Sequence, residues 1–497
     1  MPLAQCAHAC EEKCVITDTA LPTSAPEAQG IGSTAIQAFV QAAEQRALGL
    51  HSLLLLRHGH VVASGWWYPY VPARPHMLYS LSKSFAASAI GLLAAEGRLS
   101  LDDDVLRFFP DDAPPVIGPH LAAMRVRDLL TMSTGHDVDP TDKAGEMTNR
   151  ADGNWTKGFL AQPVAYAPGT HFVYNSGATY MLSAIVQAVT GDTLLRYLEP
   201  RLLAPMGIAG ATWETCPRGI NVGGWGLSIT TDAIARFGQL YLQDGVWQGR
   251  RILPAGWVEQ ATSAQVRNGS NPSSDWEQGY GYQFWRCRHN AYRGDGAFGQ
   301  FCVVLPEHDA VLAITAGTPD SQAVLDLAWE HLLPALHAAP LPDDPAAHAA
   351  LRQTLAGLRM PAPVGRRASP LTPQLSGGVY SFTPNDQQIE SITFDFANDG
   401  CTLTLRVAGD EERIVCGADD WAPSESRLLD GRAPRPVAAR GVWASDDTYV
   451  AALCFYETPY CATLTCRFAG ATLRYNFRAN VSFGPPQRPE LLGERST

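Results

Sequence analysis

The patterned part of the chain opens on SLLLLRHGHVVASGWW at 52–67, two apolar runs split by His58-Gly59. Runs of this length around a glycine turn predict a pair of strands. A helical stretch over 31–50 precedes them. A second set of strand-like runs comes late, at 279–285 and 298–315. Between the two sets the apolar positions take helical spacing, as in the Ala-rich segment 84–96, in 126–132 and in 180–189. Strands at both ends with helices between them predict one sheet assembled from both ends of a domain over 31–333, with a helical insertion at about 100–235.

The pattern changes after Leu333. Residues 334–372 are rich in Pro and Ala, with one helix expected near 346–358, and read as a linker. From about Leu375 the period becomes two. Ile392, Phe394 and Phe396, then Leu403, Leu405 and Val407, alternate with polar residues, and similar runs follow at 448–456, 462–468 and 471–477. Short strands separated by Gly, Asn and Asp predict an all-β barrel or sandwich over 373–497. Residues 1–30 carry no such pattern and read as an N-terminal arm.

Composition narrows the picture. Hydrophobic residues make up 46% of the chain and charged residues 17%, an ordinary globular balance, and 497 residues suffice for two or three domains. A net charge of −12 without any Lys/Arg-rich run argues against nucleic acid or an anionic membrane as partner. No segment approaches the roughly 18 continuous apolar residues that a membrane helix needs. The first twenty residues lack a basic start followed by an apolar stretch, so no signal peptide is read. Eleven scattered cysteines do not suggest a secreted disulfide framework, and most are expected to be reduced thiols in a cytoplasmic protein. Cys6, Cys10 and Cys14 could share a helical face near His8, but a zinc site wants a fourth ligand and none is evident. The segment is read as an arm, not a metal site.

Candidate chemistry centres on Ser80-Leu81-Ser82-Lys83, which follows an extended, Pro-containing stretch and enters the apolar helix. A helix entry offers free N–H groups and a positive dipole end to developing negative charge. A spacing of three puts Ser80 and Lys83 on one face. A serine hydroxyl needs a neighbour to take its proton, and a lysine can do so only if its ammonium is destabilised. Of the four lysines, Lys13, Lys83, Lys143 and Lys157, only Lys83 has a serine three residues before it. Ser82 and Ser84 lack that spacing and read as helix-entry residues. This S-x-x-K pattern is the signature of β-lactamases and penicillin-binding proteins. A second motif, Tyr174-Asn175-Ser176, sits on a loop before a helix. A phenol there can exchange protons, as a base if a nearby ammonium lowers its pKa.

Taken together, YSLSKSF, VRDLLTMSTGH at 126–136, PGTHFVYNSGATYMLSAI at 168–185 and GGWGLSITTDAIARFGQLYLQDG at 223–245 resemble the family that joins class C β-lactamases, D-alanyl-D-alanine peptidases and related esterases and amidases. The resemblance spans roughly residues 35–330. It implies the α/β plus all-α penicillin-recognition fold, with an antiparallel sheet, and an acyl-enzyme on Ser80 with Lys83 and Tyr174 exchanging protons. Two departures stand out. Ser176 replaces the Asn of the family's Tyr-x-Asn. Gly294-Asp295-Gly296, followed by Ala297, stands where the family has Lys-Thr-Gly or His-x-Gly, with Arg293 adjacent. Ser176, Asp295 and Gly296 are therefore the expected substrate contacts, and the N–H groups of Ser80 and Ala297 the expected oxyanion hole. Loss of the motif's cation favours an esterase or amidase on small acyl substrates over a β-lactamase or D-alanyl-D-alanine peptidase. A binding or sensor protein on the same fold is the alternative from another class. The expected ligand is a small ester or amide, and the chemistry calls for no metal or cofactor. The C-terminal region also resembles the barrel- or lipocalin-like domains appended to some members.

Overall fold

Strands β1 (Leu50–Arg57) and β2 (His60–Trp66) form an antiparallel hairpin. In the computed structural model, which describes residues 21–142, 146–429 and 433–496, His58 and Gly59 both have positive φ, 48° and 73°. Two left-handed residues in succession make a tight turn whose twist matches the flanking strands. Four strands from far down the chain complete the sheet: β3 (Trp285–Arg286), β4 (Tyr292–Gly296), β5 (Gln300–Leu305) and β6 (Ala310–Ala316). The order is β2-β1-β6-β5-β4-β3, antiparallel throughout, with Leu53 opposite Ile314.

All eight residues of β1 are buried because the sheet is covered on both faces. Leu53 and Leu55 join a core with Ile36, Phe39 and Val40 of helix α1 (Ser33–Gln45). Leu54 and Leu56 point the other way, into a larger core built from the helices between the strands. Three of these are central: α2 (Ser82–Ala95), α3 (Ser176–Thr190), which packs on it, and α4 (Thr231–Leu242), which lies along β1, β5 and β6.

Two expectations change. The strand read over 279–285 reduces to Trp285–Arg286, because Gly279 and Gln283 have φ of 105° and 63° and break the extended run. The pairing place is taken by β4, and 298–315 is two strands split by a turn at Pro306–His308. Residues 334–372 do carry the chain between the domains, but not as a free linker. Helix α5 (Pro345–Ala356) packs on α1 and β2, and Leu351 and Leu358 are buried in the same core as Phe39. The Pro/Ala composition hid this because only a few apolar side chains do the anchoring. Within 21–30, Glu27 is buried and its Oε1 accepts the Ser33 N–H at 2.7 Å. Cys6, Cys10, Cys14 and His8 lie outside the described residues.

The C-terminal domain is a closed β-barrel. Nine strands form the ring: β7 (Val379–Phe382), β8 (Ile389–Ala397), β9 (Gly400–Val407), β10 (Asp410–Gly417), β12 (Arg435–Trp443), β13 (Thr448–Cys454), β14 (Cys461–Ala469), β15 (Thr472–Ala479) and β16 (Leu491–Arg495). A short parallel pairing of β10 with β12 closes it, and β11 (Ala422–Ser426) adds to β12 outside the ring. The period-two residues Phe394, Leu403 and Leu405 fill the interior with Leu464, Tyr475 and Phe477. None of these strands pairs with the six-stranded sheet.

The two domains meet through polar contacts around 457–480. The Met77 N–H donates to the Glu457 carbonyl at 2.8 Å, Tyr70 Oη to the Thr458 carbonyl at 3.0 Å, and Asn480 Nδ2 to the Gly317 carbonyl at 2.9 Å. Behind this joint His51 and His76, both buried, share a hydrogen bond of 3.1 Å.

Candidate active site

Ser80 stands in a 3-10 turn, Tyr79–Leu81, that leads directly into α2. Tyr79 has φ 49°, a left-handed conformation uncommon for a bulky residue. Ser82 holds this turn: its hydroxyl donates to the Tyr79 carbonyl at 2.6 Å and accepts the Leu227 N–H at 3.1 Å. Ser84 is equally structural, donating to the Gln283 carbonyl at 2.8 Å. Neither competes with Ser80 for the next group.

Lys83 is 1% exposed. One helical turn on from Ser80, its Nζ reaches Ser80 Oγ at 2.9 Å, Ser176 Oγ at 3.1 Å and the Gly224 carbonyl at 2.7 Å. These three partners match the three donors of an ammonium. Burial nevertheless lowers the lysine pKa to about 7, against a smaller opposing pull from Asp139 and Asp295. Near neutrality a large share of Lys83 is therefore an amine, able to accept the Ser80 proton. The Tyr174 ring lies 4.8 Å from Nζ. Burial pushes the Tyr174 pKa up, and the Ser80 hydroxyl only partly offsets this. The phenol is therefore protonated at neutral pH, so of the two roles read for it, proton donor and a base with its pKa lowered by a neighbouring ammonium, the electrostatics favour the donor.

The corner that carries Tyr174 and Ser176 is fixed from two sides. Asn175 caps α3, its side chain accepting the Ala178 N–H at 2.8 Å. Asp139 accepts the N–H groups of Ser176 at 2.7 Å and Gly177 at 3.3 Å. Opposite them β4 runs past Ser80. Side chains alternate along it, so Asp295 and the following Ala297 face the site while Gly296 faces away. A Cβ on Gly296 would lie 2.0 Å from the Leu78 carbonyl, so only glycine fits there, and Gly296, read from the sequence as a substrate contact, is not among the residues that line the cavity. The turn after Ala297 uses left-handed Phe298 and Gly299, and Gln300 Nε2 donates to the Ala297 carbonyl at 3.0 Å.

Ser80, Tyr174, Ser176, Asp295 and Ala297 line one cavity of about 720 Å³. Its remaining walls are residues that spacing could not identify: Tyr79, Asp139, Thr141, Asp142, Trp225, Trp276, Trp285 and, from the barrel, Phe483. The Gly224 carbonyl and Trp225 lie in the GGWG segment, whose glycines were a signal of close backbone approach. Asp139 and Phe483 carried none. Arg293 does not replace the missing cation. Its fully buried guanidinium is bound to Asp295 at 2.7 Å and to the Asp275 carbonyl at 2.6 Å, and it lies 4.3 Å from the Trp276 ring. Among the described residues the charged side chains on the cavity wall are thus three carboxylates.

Comparison with known proteins is consistent with this arrangement. The family model described as Beta-lactamase matches residues 34–336, more than half of the chain. The 6-aminohexanoate-dimer hydrolase of Paenarthrobacter ureafaciens is 29% identical over 287 residues, covering 54% of this chain and 73% of that protein. Among solved structures, a candidate 6-aminohexanoate-dimer hydrolase from Bacillus anthracis matches with a TM-score of 0.54 at 20% identity, over 65% of this chain and 89% of that one. EstCE1, a hydrolase with promiscuous acyltransferase activity, matches with a TM-score of 0.51 at 17% identity, over 60% of this chain and 98% of that one. At these identities the structural matches speak to the fold.

Proposed function

The chain belongs to the β-lactamase family of serine hydrolases, and from that premise we propose that it hydrolyses esters or amides of small acyl groups through an acyl-enzyme on Ser80. The observation that carries this reading is the buried Lys83 amine, 2.9 Å from Ser80 Oγ, with its pKa brought to about 7 by burial. In the proposed reaction neutral Lys83 takes the Ser80 proton as Oγ bonds to the substrate carbonyl carbon. The carbonyl oxygen becomes an oxyanion and is met by the N–H groups of Ser80 and Ala297. Tyr174, kept protonated by burial, gives its proton to the leaving oxygen or nitrogen as that bond breaks, and the Lys83 ammonium makes good the loss. Water then attacks the acyl-enzyme by the reverse sequence. The names of the relatives, a 6-aminohexanoate-dimer hydrolase among them, support this reaction class.

The cavity wall supports the substrate preference. A β-lactam brings a carboxylate beside its reacting carbonyl; no cationic side chain among the described lining residues would receive it, Asp139 and Asp142 add like charge, and the charge of Asp295 is taken up by Arg293. Neutral esters and amides avoid that cost. Ser80→Ala is expected to abolish both turnover and labelling by a fluorophosphonate probe, while Ser82→Ala keeps most activity. A fully active Ser80→Ala enzyme would end the proposal. A kcat/KM for nitrocefin above that for p-nitrophenyl acetate would reverse the substrate ranking.

A further inference from the structure

The barrel reaches the reactive serine through one side chain. Phe483, on the loop between β15 and β16, lines the same cavity as Ser80, although its ring is 74% exposed. It is held at the mouth by aromatic neighbours from the catalytic domain, Phe298 at 4.8 Å and Tyr79 at 5.5 Å between ring centroids. Tyr460 of the barrel supports the same cluster, edge-on to both Tyr79 and Phe298.

A second cavity, of about 420 Å³, adjoins the first, sharing Tyr79, Trp225 and Phe483 with it. Its far side belongs to the barrel and includes Leu429, Phe477 and Val481. Its charged lining residues, Glu214, Arg435 and Arg488, are of both signs, and the Arg488 guanidinium is occupied, donating to the Leu429 carbonyl at 2.8 Å and lying 4.1 Å from the Phe477 ring. The cleft between the domains therefore offers aromatic and aliphatic surface without a dominant charge. A neutral apolar group there would cover Phe483, which is otherwise left largely in water beside the serine, and burying such a ring is favourable.

We propose that this interdomain cleft is a subsite for an alkyl or aryl arm of the substrate, and that Phe483 is the residue through which the barrel sets chain-length specificity. The inference rests on the ester or amide hydrolase reading above. An arm that extends from the carbonyl at Ser80 passes between Trp225 and Phe483 and is enclosed by the barrel. Small groups occupy only the first cavity and do not sense the second.

The test uses the full chain and two substrate series. In one, the acyl group of p-nitrophenyl esters lengthens from two to eight carbons; in the other, acetate is kept and the n-alkyl alcohol lengthens over the same range. The wild-type kcat/KM is expected to rise with length in one of the series, mainly through KM. Phe483→Ala should remove that rise, costing about tenfold more at eight carbons than at two, and Phe483→Leu should restore part of it. Ser482→Trp, an exposed residue on the second cavity's lining, should also remove the rise by filling the subsite. Unchanged melting temperatures would show that neither effect is unfolding. Chain-length profiles that are flat in the wild type, or equally steep in Phe483→Ala and Ser482→Trp, would overturn the inference while leaving an active hydrolase. Absence of any ester turnover and of fluorophosphonate labelling in the wild type would instead overturn the hydrolase reading, and this inference with it.

Discussion

Replacing Ser176 by Asp tests the claim that Lys83 acts as an amine. The lysine pKa falls from 10.5 to about 7, so burial disfavours the ammonium by about 5 kcal/mol, at roughly 1.4 kcal/mol per pH unit. In water about one such lysine in 3,000 would be neutral at pH 7, whereas here about half are. On this reasoning kcat/KM falls tenfold per pH unit below an acidic limb near 7. The Ser176 hydroxyl is 3.1 Å from Nζ. An Asp there sets a carboxylate against the ammonium, and an opposite charge at such range raises a lysine pKa by about 1 to 3. The limb should move to about pH 8–10, and kcat/KM at pH 7 should drop by about 5- to 500-fold. The deficit should close as the pH passes the new limb. Ser176→Ala, which removes the hydroxyl and adds no charge, should keep the limb near 7. The assay is the pH dependence of kcat/KM for p-nitrophenyl acetate, corrected for spontaneous hydrolysis, with the fold checked by circular dichroism. A limb at the same pH in wild type and Ser176→Asp, or a deficit that does not change with pH, would refute the assignment of the limb to Lys83.

Tyr174→Phe removes the proposed proton donor and should lower kcat by about 10²-fold or more; combined with Lys83→Ala it should cost little beyond the larger single loss, since the two act as one unit, and independent, additive small losses in single-turnover kinetics would contradict this. The buried His51–His76 pair predicts acid lability. Burial lowers both pKa values, that of His76 to about 4, so the folded state holds them neutral while the unfolded chain takes up protons below about 6.5. Their stabilisation is complete above 6.5 and is lost as the pH falls toward 4, at up to about 3 kcal/mol for His76 alone. Melting temperature followed from pH 8 to pH 4.5 should fall steeply in this window, and His76→Gln should flatten the fall; an unchanged slope would move the cause elsewhere.

Much of this site was legible because it is local. Ser80 and Lys83 are three residues apart on one helix entry, and helix geometry alone puts them on one face. Tyr174 could be singled out because it sits on a loop before a helix downstream of that entry, whereas Ser176 came only through the resemblance to the family's Tyr-x-Asn. The sheet was legible for a related reason. The apolar run Leu53–Leu56 marks a strand, and strand-like runs at both ends of one domain with helices between them read as one sheet. The failures lie where local signals mislead. Gly296 was read as a substrate contact from its place in a motif, but strand alternation turns it to the Leu78 carbonyl and gives the cavity to Asp295 and Ala297. A base role for Tyr174 was conditional on a nearby ammonium lowering its pKa, and burial pushes that pKa up instead.

Residues set by tertiary packing are a different case. Asp139 lies 37 residues before the Ser176 N–H that it accepts, and no periodicity links them. Phe483 is further removed, more than 400 positions along the chain from Ser80 and in another domain. In the sequence it is one aromatic in a Gly/Pro-rich loop, where the bland reading is a surface residue, and by exposure alone that reading would stand. What changes it is the joint between the domains. Hydrogen bonds from Met77, Tyr70 and Asn480 fix residues 457–480 against the catalytic domain within a few residues of Tyr79. Once that joint is made, the loop after β15 has to pass the mouth of the cavity, and its bulkiest side chain projects there. Ser80 and Lys83 are thus brought together by spacing within one domain, whereas the one barrel residue on the cavity wall, Phe483, depends on how the second domain docks.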